Sequence, residues 1–352
     1  MDKLALNFLQ KNLLSPLKES DLIRSLNKLN EIFTVKRDRL SEYPYDRELV
    51  SAYTSLYLPT NVRKFSFVME QLNSEVKEDL SRYSFIDMGT GPGTFVLGYL
   101  DSELKGEGNA IYGIDQSPVM LEQADKMVKA CYPGRQIHWQ RDVPLHEREK
   151  CFLLWGNGIN ETGLDYCLDV IDQLIPQYFL LIEPGTKESF IQTLQLRQKL
   201  FERGYNNLYP CLGAQESCPM EGEEKNWCHQ VLKTTHDPSV ERLCQLVKLD
   251  RRSMPLIAHL YTRSSLSKSE VPGKKLRLIR LLQETKHSLE CEVCFPGEER
   301  GLELGRVQIP KRGLSKGDVK SLKKLSWGSA LQVEIEKVLG PGYFRVQWIP
   351  QN

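Results

Sequence analysis

The run Phe85-Ile86-Asp87-Met88-Gly89-Thr90-Gly91-Pro92-Gly93-Thr94 decides how the first half of this 352-residue chain is read. An apolar stretch closes on an acidic residue, three alternate glycines follow, and a helical pattern starts at once. Glycine adopts positive φ freely and lets a ligand approach the backbone with no Cβ in the way. A second apolar stretch, Ala110-Ile111-Tyr112-Gly113-Ile114, ends in Asp115. A carboxylate there can accept both ribose hydroxyls of an adenosine cofactor. A tight strand-to-helix turn with no ligand would use the same glycines, so the reading needs the rest of the chain.

Working outward, short apolar runs bounded by Gly or Asp alternate with helical patterns, as in a parallel sheet built from strand-helix-strand units. The expected strands are Ser84–Met88, Ala110–Ile114, Gln136–Gln140, Phe152–Trp155 and Tyr178–Glu183, with helices over Thr94–Leu104, Pro118–Ala130, Leu164–Leu174 and Glu188–Arg203. Residues 1–80 read as amphipathic helices punctuated by Pro44 and Pro59. Residues 205–267 read as an irregular, Cys-rich segment with few apolar residues, too long for an ordinary loop unless something orders it. Residues 268–352 read as a small antiparallel β domain with strands Leu276–Leu282, Ser288–Cys294, Leu302–Ile309, Leu331–Val338 and Tyr343–Ile349. The expected domains are therefore 1–80, 81–204, 205–267 and 268–352.

The glycine spacing is GxGxG with an acidic residue two before the first Gly, where dinucleotide turns usually read GxGxxG. It resembles motif I of the Rossmann-like S-adenosylmethionine methyltransferases. That resemblance assigns Asp87, Gly89, Gly91, Gly93 and Asp115 to the cofactor, and Asp142, in Gln140-Arg141-Asp142, to its adenine. The catalytic side is thinner. Methyltransferases acting on base amino groups typically carry an Asn/Asp-Pro-Pro-aromatic turn after the fourth strand, and this chain has Trp155-Gly156-Asn157-Gly158-Ile159-Asn160-Glu161. Asn157, Asn160 and Glu161 are the catalytic candidates; helix capping and loop hydrogen bonding are the competing reading.

The chain holds 47 Lys+Arg against 46 Asp+Glu, nine Cys and six His. Near-neutrality excludes a polycationic protein but not a local basic face. No window approaches the 18 consecutive apolar residues of a spanning helix. The start lacks signal-peptide texture, and its first twenty residues hold Asp2 and Glu19 and no Arg, unlike a transit peptide. A cytoplasmic, reducing setting is expected, in which nine cysteines are not a disulfide framework. From Lys268 onward there are 16 Lys+Arg against 10 Asp+Glu, which leaves the rest net acidic. Lys274, Lys275, Arg277, Arg280, Lys311, Arg312, Lys316, Lys320, Lys323 and Lys324 carry that excess. Such residues would position phosphates without reading sequence.

Cys211, Cys218 and Cys228 are spaced more widely than a zinc knuckle, with Cys291 and Cys294 as remote candidates for a fourth ligand and His229 as an alternative. Three dispersed thiolates plus one remote thiolate suit an iron-sulfur cluster or a structural Zn²⁺. Cys131, Cys151, Cys167 and Cys244 read as packing residues.

The order of these pieces resembles the small-ribosomal-subunit methyltransferase-like family of mitochondrial Rsm-type proteins and bacterial relatives. The resemblance rests on the glycine turn, Asn160-Glu161, Leu181-Ile182-Glu183-Pro184-Gly185-Thr186, Pro210-Cys211, Cys218-Pro219, Trp227-Cys228-His229 and Ser326-Trp327-Gly328. It departs from the family pattern at Leu212-Gly213, at Gln230 and in the basic run Lys248–Ser253. It implies an α/β fold: a Rossmann-like S-adenosylmethionine methyltransferase core with a helical N-terminal region, a Cys-rich metal-binding insertion and a small antiparallel β C-terminal domain. It further implies action on the small ribosomal subunit and its rRNA, and a [4Fe-4S] cluster on Cys211, Cys218, Cys228 and Cys294 with zinc as the alternative; apart from the resemblance, no membrane partner and a monomer when free are expected. A non-catalytic assembly factor and a small-molecule methyltransferase are the rival readings.

Overall fold

The computed structural model describes residues 4–36, 42–104, 109–213, 215, 217–223, 225–264, 274–297, 301–325 and 327–350. The expected boundary at 267/268, and Ser326, lie outside the described residues. In chain order the strands are β1 (Ser84–Met88), β2 (Ile111–Ile114), β3 (His138–Gln140), β4 (Cys151–Gly156), β5 (Tyr178–Pro184), β6 (Asn206–Tyr209), β7 (Gln230–Lys233), β8 (Ser253–Thr262), β9 (Lys274–Glu284), β10 (Ser288–Pro296), β11 (Leu302–Pro310), β12 (Ala330–Gly340) and β13 (Tyr343–Ile349). The chain divides into two compact units, residues 1–183 with 232–254, and residues 184–231 with 255–352.

In the first unit five strands pair in parallel in the order β3-β2-β1-β4-β5. Their residues are apolar on both faces because helices cover both sides, and β1, β2 and β4 are almost wholly buried. The order reverses direction between β1 and β4, the position at which open α/β sheets bind ligands beyond the strand ends. The N-terminal helices form a core of their own. Leu22, Leu26, Leu29 and Ile32 of Glu19–Thr34 pack on Leu49, Val50 and Leu56 of Arg47–Asn61, and on Val240 and Leu243 of Pro238–Leu246. Pro59 does not break its helix as the sequence suggested. It sits in the last turn, where only one main-chain bond is forfeited and two residues remain to be wound.

The segment expected to be irregular is substantially ordered. It contains β6, β7, the helix Pro238–Leu246 and the ten-residue β8, which pairs antiparallel with β6. The second unit closes with a barrel in the order β10-β11-β13-β12-β9. Four of its five strand pairs are antiparallel, and β11 with β13 is parallel. The helix Lys316–Lys324, started by a Ser315–Asp318 capping box, lies between β11 and β12. This is the strand order and helix placement of an OB barrel, more specific than a small antiparallel β domain. Leu278, Leu289, Val293, Val307, Leu331, Val333 and Val346 fill it.

In the first unit the helices Arg63–Met69 and Thr94–Asp101 approach closely at Gly98. A Cβ on Gly98 would come within 2.9 Å of the Phe65 Cβ and 3.1 Å of the Val62 carbonyl oxygen. Gly98→Ala would ordinarily stabilise a helix by up to about 1 kcal/mol, but here overpacking of roughly 1–3 kcal/mol dominates. Denaturant unfolding should show net destabilisation; a stabilised variant would refute the close approach.

Candidate functional site

The glycine turn joins β1 to the helix Thr94–Asp101 with Gly89, Gly91 and Gly93 all at positive φ. A Cβ on Gly89 or Gly91 would meet nothing within 4 Å, so the turn faces open space. Asp87 is fully buried; Thr90 donates to its Oδ2 at 2.7 Å and its Oδ1 accepts no hydrogen bond. Burial pushes the Asp87 carboxyl up to about 7, and Thr90 and the Val96 amide oppose this only in part. Asp115, at the end of β2, accepts from the Gly91 amide at 2.9 Å through Oδ2 and from the Ser117 amide at 2.8 Å through Oδ1. It therefore fastens the glycine turn as well as standing where a ribose would lie. Asp142 is exposed beyond β3. The ring of Trp139 in β3 covers Gly113, and its Nε1 donates to Asp125 at 3.2 Å.

The turn after β4 carries the three catalytic candidates. Glu183, at the end of β5, accepts the amides of Gly158 and Ile159 at 2.9 and 3.0 Å through Oε1, while its Oε2 is buried and takes no hydrogen bond. Lys64, only 4% exposed, donates to the Asn157 Oδ1 at 3.2 Å. Burial and Arg251 hold the Lys64 amine down to about 7, against the pull of Glu183. The Glu183 carboxyl is pushed up to about 7 by burial. Asn157 is thereby committed to Lys64, and Asn160 is half-buried.

Glu161 is exposed on the turn after β4. Desolvation raises its carboxyl, with Glu183 and Asp115 adding to the effect. Because its surface is open, solvent screens part of that rise. Burial raises the hydroxyls of Tyr43 and Tyr53, with Glu161 and Asp115 adding to the effect. Lys64, Glu183, Tyr43 and Tyr53 were not singled out as site residues from sequence. Only Glu183 had a readable signal, as the acidic end of a strand.

In the second unit, Cys211, Cys218, Cys228 and Cys294 pack in one cluster with Met220, Trp227 and Leu302. The Trp227 indole donates to the Gly185 carbonyl at 2.9 Å, which fixes the segment carrying Cys228. Burial raises all of Cys218, Cys228 and Cys294; Cys211 and Cys218 both act on Cys228 and Cys294, and Cys294 acts on Cys228. Among the described residues no set of three or more His, Cys, Asp or Glu is closed to metal-holding geometry. His229 turns its Nδ1 to the Trp227 carbonyl and its ring to Trp327. Cys291 lies inside the barrel.

Of the basic residues, Lys274, Lys275, Arg312, Lys316, Lys320, Lys323 and Lys324 are exposed. Lys311 and Lys323 share Glu284. Arg280 pairs with Glu292 at 2.7 Å. Arg277 is buried and does not belong to the surface face to which its charge was counted, because the Cys-bearing segment covers that side of its strand.

The family model described as mitochondrial small ribosomal subunit Rsm22 matches residues 47–332. The chain belongs to the Rsm22 family. No curated protein matches this Rsm22-family chain. Among solved structures, it is similar to magnesium protoporphyrin IX methyltransferase of Synechocystis PCC 6803 with bound S-adenosylmethionine, at 12% identity and TM-score 0.37, over 70% of this chain and 98% of that one. It is also similar to a precorrin-6y C5,15-methyltransferase of Geobacter metallireducens GS-15, at 11% identity and TM-score 0.34, over 54% of this chain and 87% of that one. Among the described residues of the Rsm22-family chain no helix is long and apolar enough to cross a membrane.

The Lys64–Glu183 arrangement has a pH signature. Lys64 has a folded pKa near 7 against an ordinary 10.5, so its linked stability is full above about 10.5 and is lost as pH falls towards 7. Lys64→Met removes that loss and also strips Glu183 of its cation, raising the Glu183 carboxyl further. Both effects act in one direction: the stability of the variant relative to the parent should rise as pH is lowered from about 10 to about 7. Urea titrations across that range decide; a flat difference would reject a buried amine at this site.

Proposed function

We propose that this chain binds S-adenosylmethionine in the first unit and acts as a methyltransferase on the RNA of the small ribosomal subunit. The observation that carries the reading is the open glycine turn at the strand ends. Open glycine backbone, Asp87 and Asp115 stand where an adenosine cofactor would lie, and the buried, unbonded oxygens of Asp87 and Glu183 favour a cation. S-adenosylmethionine supplies an electrophilic methyl group on a positively charged sulfur. Asp115 would hold its ribose, the glycine turn its amino-acid portion, and Asp142 its adenine. Glu161 stands on the open side of the cleft, where a carboxylate can take a proton from an incoming nucleophile. Membership of the Rsm22 family supports the small subunit as the partner. The OB barrel, with exposed lysines on and beside Lys316–Lys324, supports RNA as the contact.

A second reading, a non-catalytic assembly factor, is favoured by one specific observation. The turn after β4 lacks the Asn/Asp-Pro-Pro-aromatic sequence, and its Asn157 is tied to Lys64. Mass mapping of small-subunit rRNA from cells with and without the chain separates the two. A methyl mark that disappears supports the enzyme; unchanged marks with defective subunits support the scaffold.

The four clustered thiols support a metal site, because Cys₄ sets hold either Zn²⁺ or a [4Fe-4S] cluster. Cys211, Cys218, Cys228 and Cys294 would be the ligands, with iron and sulfide preferred. Bound metal would order three chain segments around one centre. Iron, sulfide and zinc analysis of anaerobically purified protein tests this, and metal-free protein would reject it.

The cofactor reading predicts a pH dependence. The Asp87 and Glu183 carboxyls titrate near 7; a bound cation favours their ionised forms, so binding releases protons. Affinity for S-adenosylmethionine should rise roughly 3- to 10-fold between pH 6 and 8.5. S-adenosylhomocysteine, which lacks the sulfonium charge, should gain less. Asp115→Ala should weaken both ligands by about 1.5–3 kcal/mol. Calorimetry at two pH values reads all three effects, and equal pH dependence for the two ligands would remove the sulfonium from the acidic cleft.

A further inference from the structure

The turn after β4 carries one side chain whose hydrogen-bonding polarity is fixed. Asn157 directly follows Gly156, the last residue of β4, and its backbone amide donates to the Ile182 carbonyl at 2.8 Å. Its φ of 55° is left-handed, a conformation that asparagine adopts more readily than most residues. Its side-chain Oδ1 accepts from the Lys64 Nζ at 3.2 Å. An ammonium has donors and no acceptor, so turning the carboxamide round would set donor against donor. Nδ2 is therefore the outer end of the half-buried Asn157, and it donates to nothing among the described residues.

Both sides of this arrangement are clamped. Glu183 holds the amides of Gly158 and Ile159, the next two residues, at 2.9 and 3.0 Å. Lys64 is 4% exposed, and Asn157 is the one side chain to which it donates among the described residues. Glu161, exposed on the same turn, has no hydrogen-bond or ion-pair partner among the described residues. At the end of β4 the chain thus presents an amide donor and a carboxylate.

That pair discriminates between groups on a nucleobase. An exocyclic amino group offers hydrogens and needs an oxygen to accept them, but the Asn157 oxygen is engaged by a cation. A ring N–H beside a carbonyl, as at N3 of uracil or N1 of guanine, needs the reverse: a donor for the carbonyl oxygen and a base for the N–H. We propose that the methyl acceptor is such a lactam nitrogen, with Asn157 as the donor to its carbonyl oxygen and Lys64 as the positioning residue that sets the polarity of Asn157. The inference rests on the methyltransferase reading given above and adds the class of acceptor. The N–H proton passes to the Glu161 carboxylate. The negative charge left on the ring spreads to the carbonyl oxygen, where a preorganised N–H stabilises it. The nitrogen lone pair forms the new N–C bond to the methyl group as the C–S bond breaks, and the electron pair of that bond stays on sulfur, which departs as a neutral thioether. The tie to Lys64, which counts against an amino acceptor, suits a lactam.

The test incubates the full-length chain with small ribosomal subunits from cells that lack it and with methyl-labelled S-adenosylmethionine, and reads the labelled nucleoside by mass spectrometry. Label is expected on N3 of uridine or N1 of guanosine. Label on an exocyclic amino group, a ring carbon or a ribose overturns the proposal and leaves the methyltransferase reading intact; no label at all overturns both. Asn157→Asp exchanges the donor for an acceptor and should lower kcat roughly 100- to 1000-fold, with S-adenosylmethionine affinity, read by calorimetry, close to the parent's. Turnover retained in Asn157→Asp overturns the proposal, since an amino acceptor would tolerate that exchange. Lys64→Met should lower kcat on its own and add little to Asn157→Ala, because it acts through that side chain; additive losses overturn its positioning role. Should Lys64→Met fail to fold, the position of the label and Asn157→Asp decide.

Discussion

A carboxylate withdrawn from water needs donors that cannot leave, and in the first unit Glu183 obtains them from the backbone of a neighbouring strand's turn. Its Oε1 takes the amides of Gly158 and Ile159, so the end of β5 is fastened to the chain leaving β4. That single attachment sets where Asn157, Asn160 and Glu161 emerge. Asp115 repeats the device with the Gly91 and Ser117 amides, and Asp87 with the Thr90 hydroxyl. The carboxyls of the cleft therefore serve first as fasteners of the loops that form it. What they leave over is one buried oxygen each, on Asp87 and on Glu183, with no hydrogen-bond partner.

The second unit has the opposite arrangement. Arg197, Arg277 and His259 are buried there, and burial lowers the His259 imidazole to about 3. A chain with 47 Lys+Arg against 46 Asp+Glu thus buries carboxyls together with Lys64 in one unit and arginines in the other. Net charge is a sum over the surface and the interior together, and says nothing about either local field.

The elements that were legible in the sequence are those with sharp punctuation. β1, the helix Leu164–Leu174 and β13 have the bounds expected for them, because Gly, Asp or Pro stands at their ends. β8 was not legible: it is buried along most of its length, so it shows no alternation, and Pro255 near its start reads as a break. The helix Lys316–Lys324 was missed because it buries only Leu322 and its polar sequence has no apolar stripe. Barrel closure leaves no local trace, since the pairing of β11 with β13 is a long-range event. At the candidate site, Asp87, Asp115 and the glycines follow from backbone requirements that any sequence must meet in this turn. Lys64 does not, because a lysine in an amphipathic helix ordinarily points to water. Arg277 alternates with Leu276 and Leu278 as a solvent-facing residue of a barrel strand would, and only the segment covering that face makes it buried.

The nine cysteines show why burial alone is a poor guide to what a thiol does. Cys291 and Cys294 share β10, three residues apart, and strand parity sends them to opposite faces. Cys291 joins Leu289 and Val293 inside the barrel, while Cys294 turns outward to Met220, Trp227 and the other thiols. Burial raises both. Their neighbours separate them. Around Cys294 the first charged influences are Cys211 and Cys218, whereas Cys291 has Glu290, Cys151 has Glu147 and Cys167 has Glu183. The same burial thus accompanies a thiol packed in the barrel interior and a thiol packed with three others in an apolar cluster, and only the neighbours distinguish them.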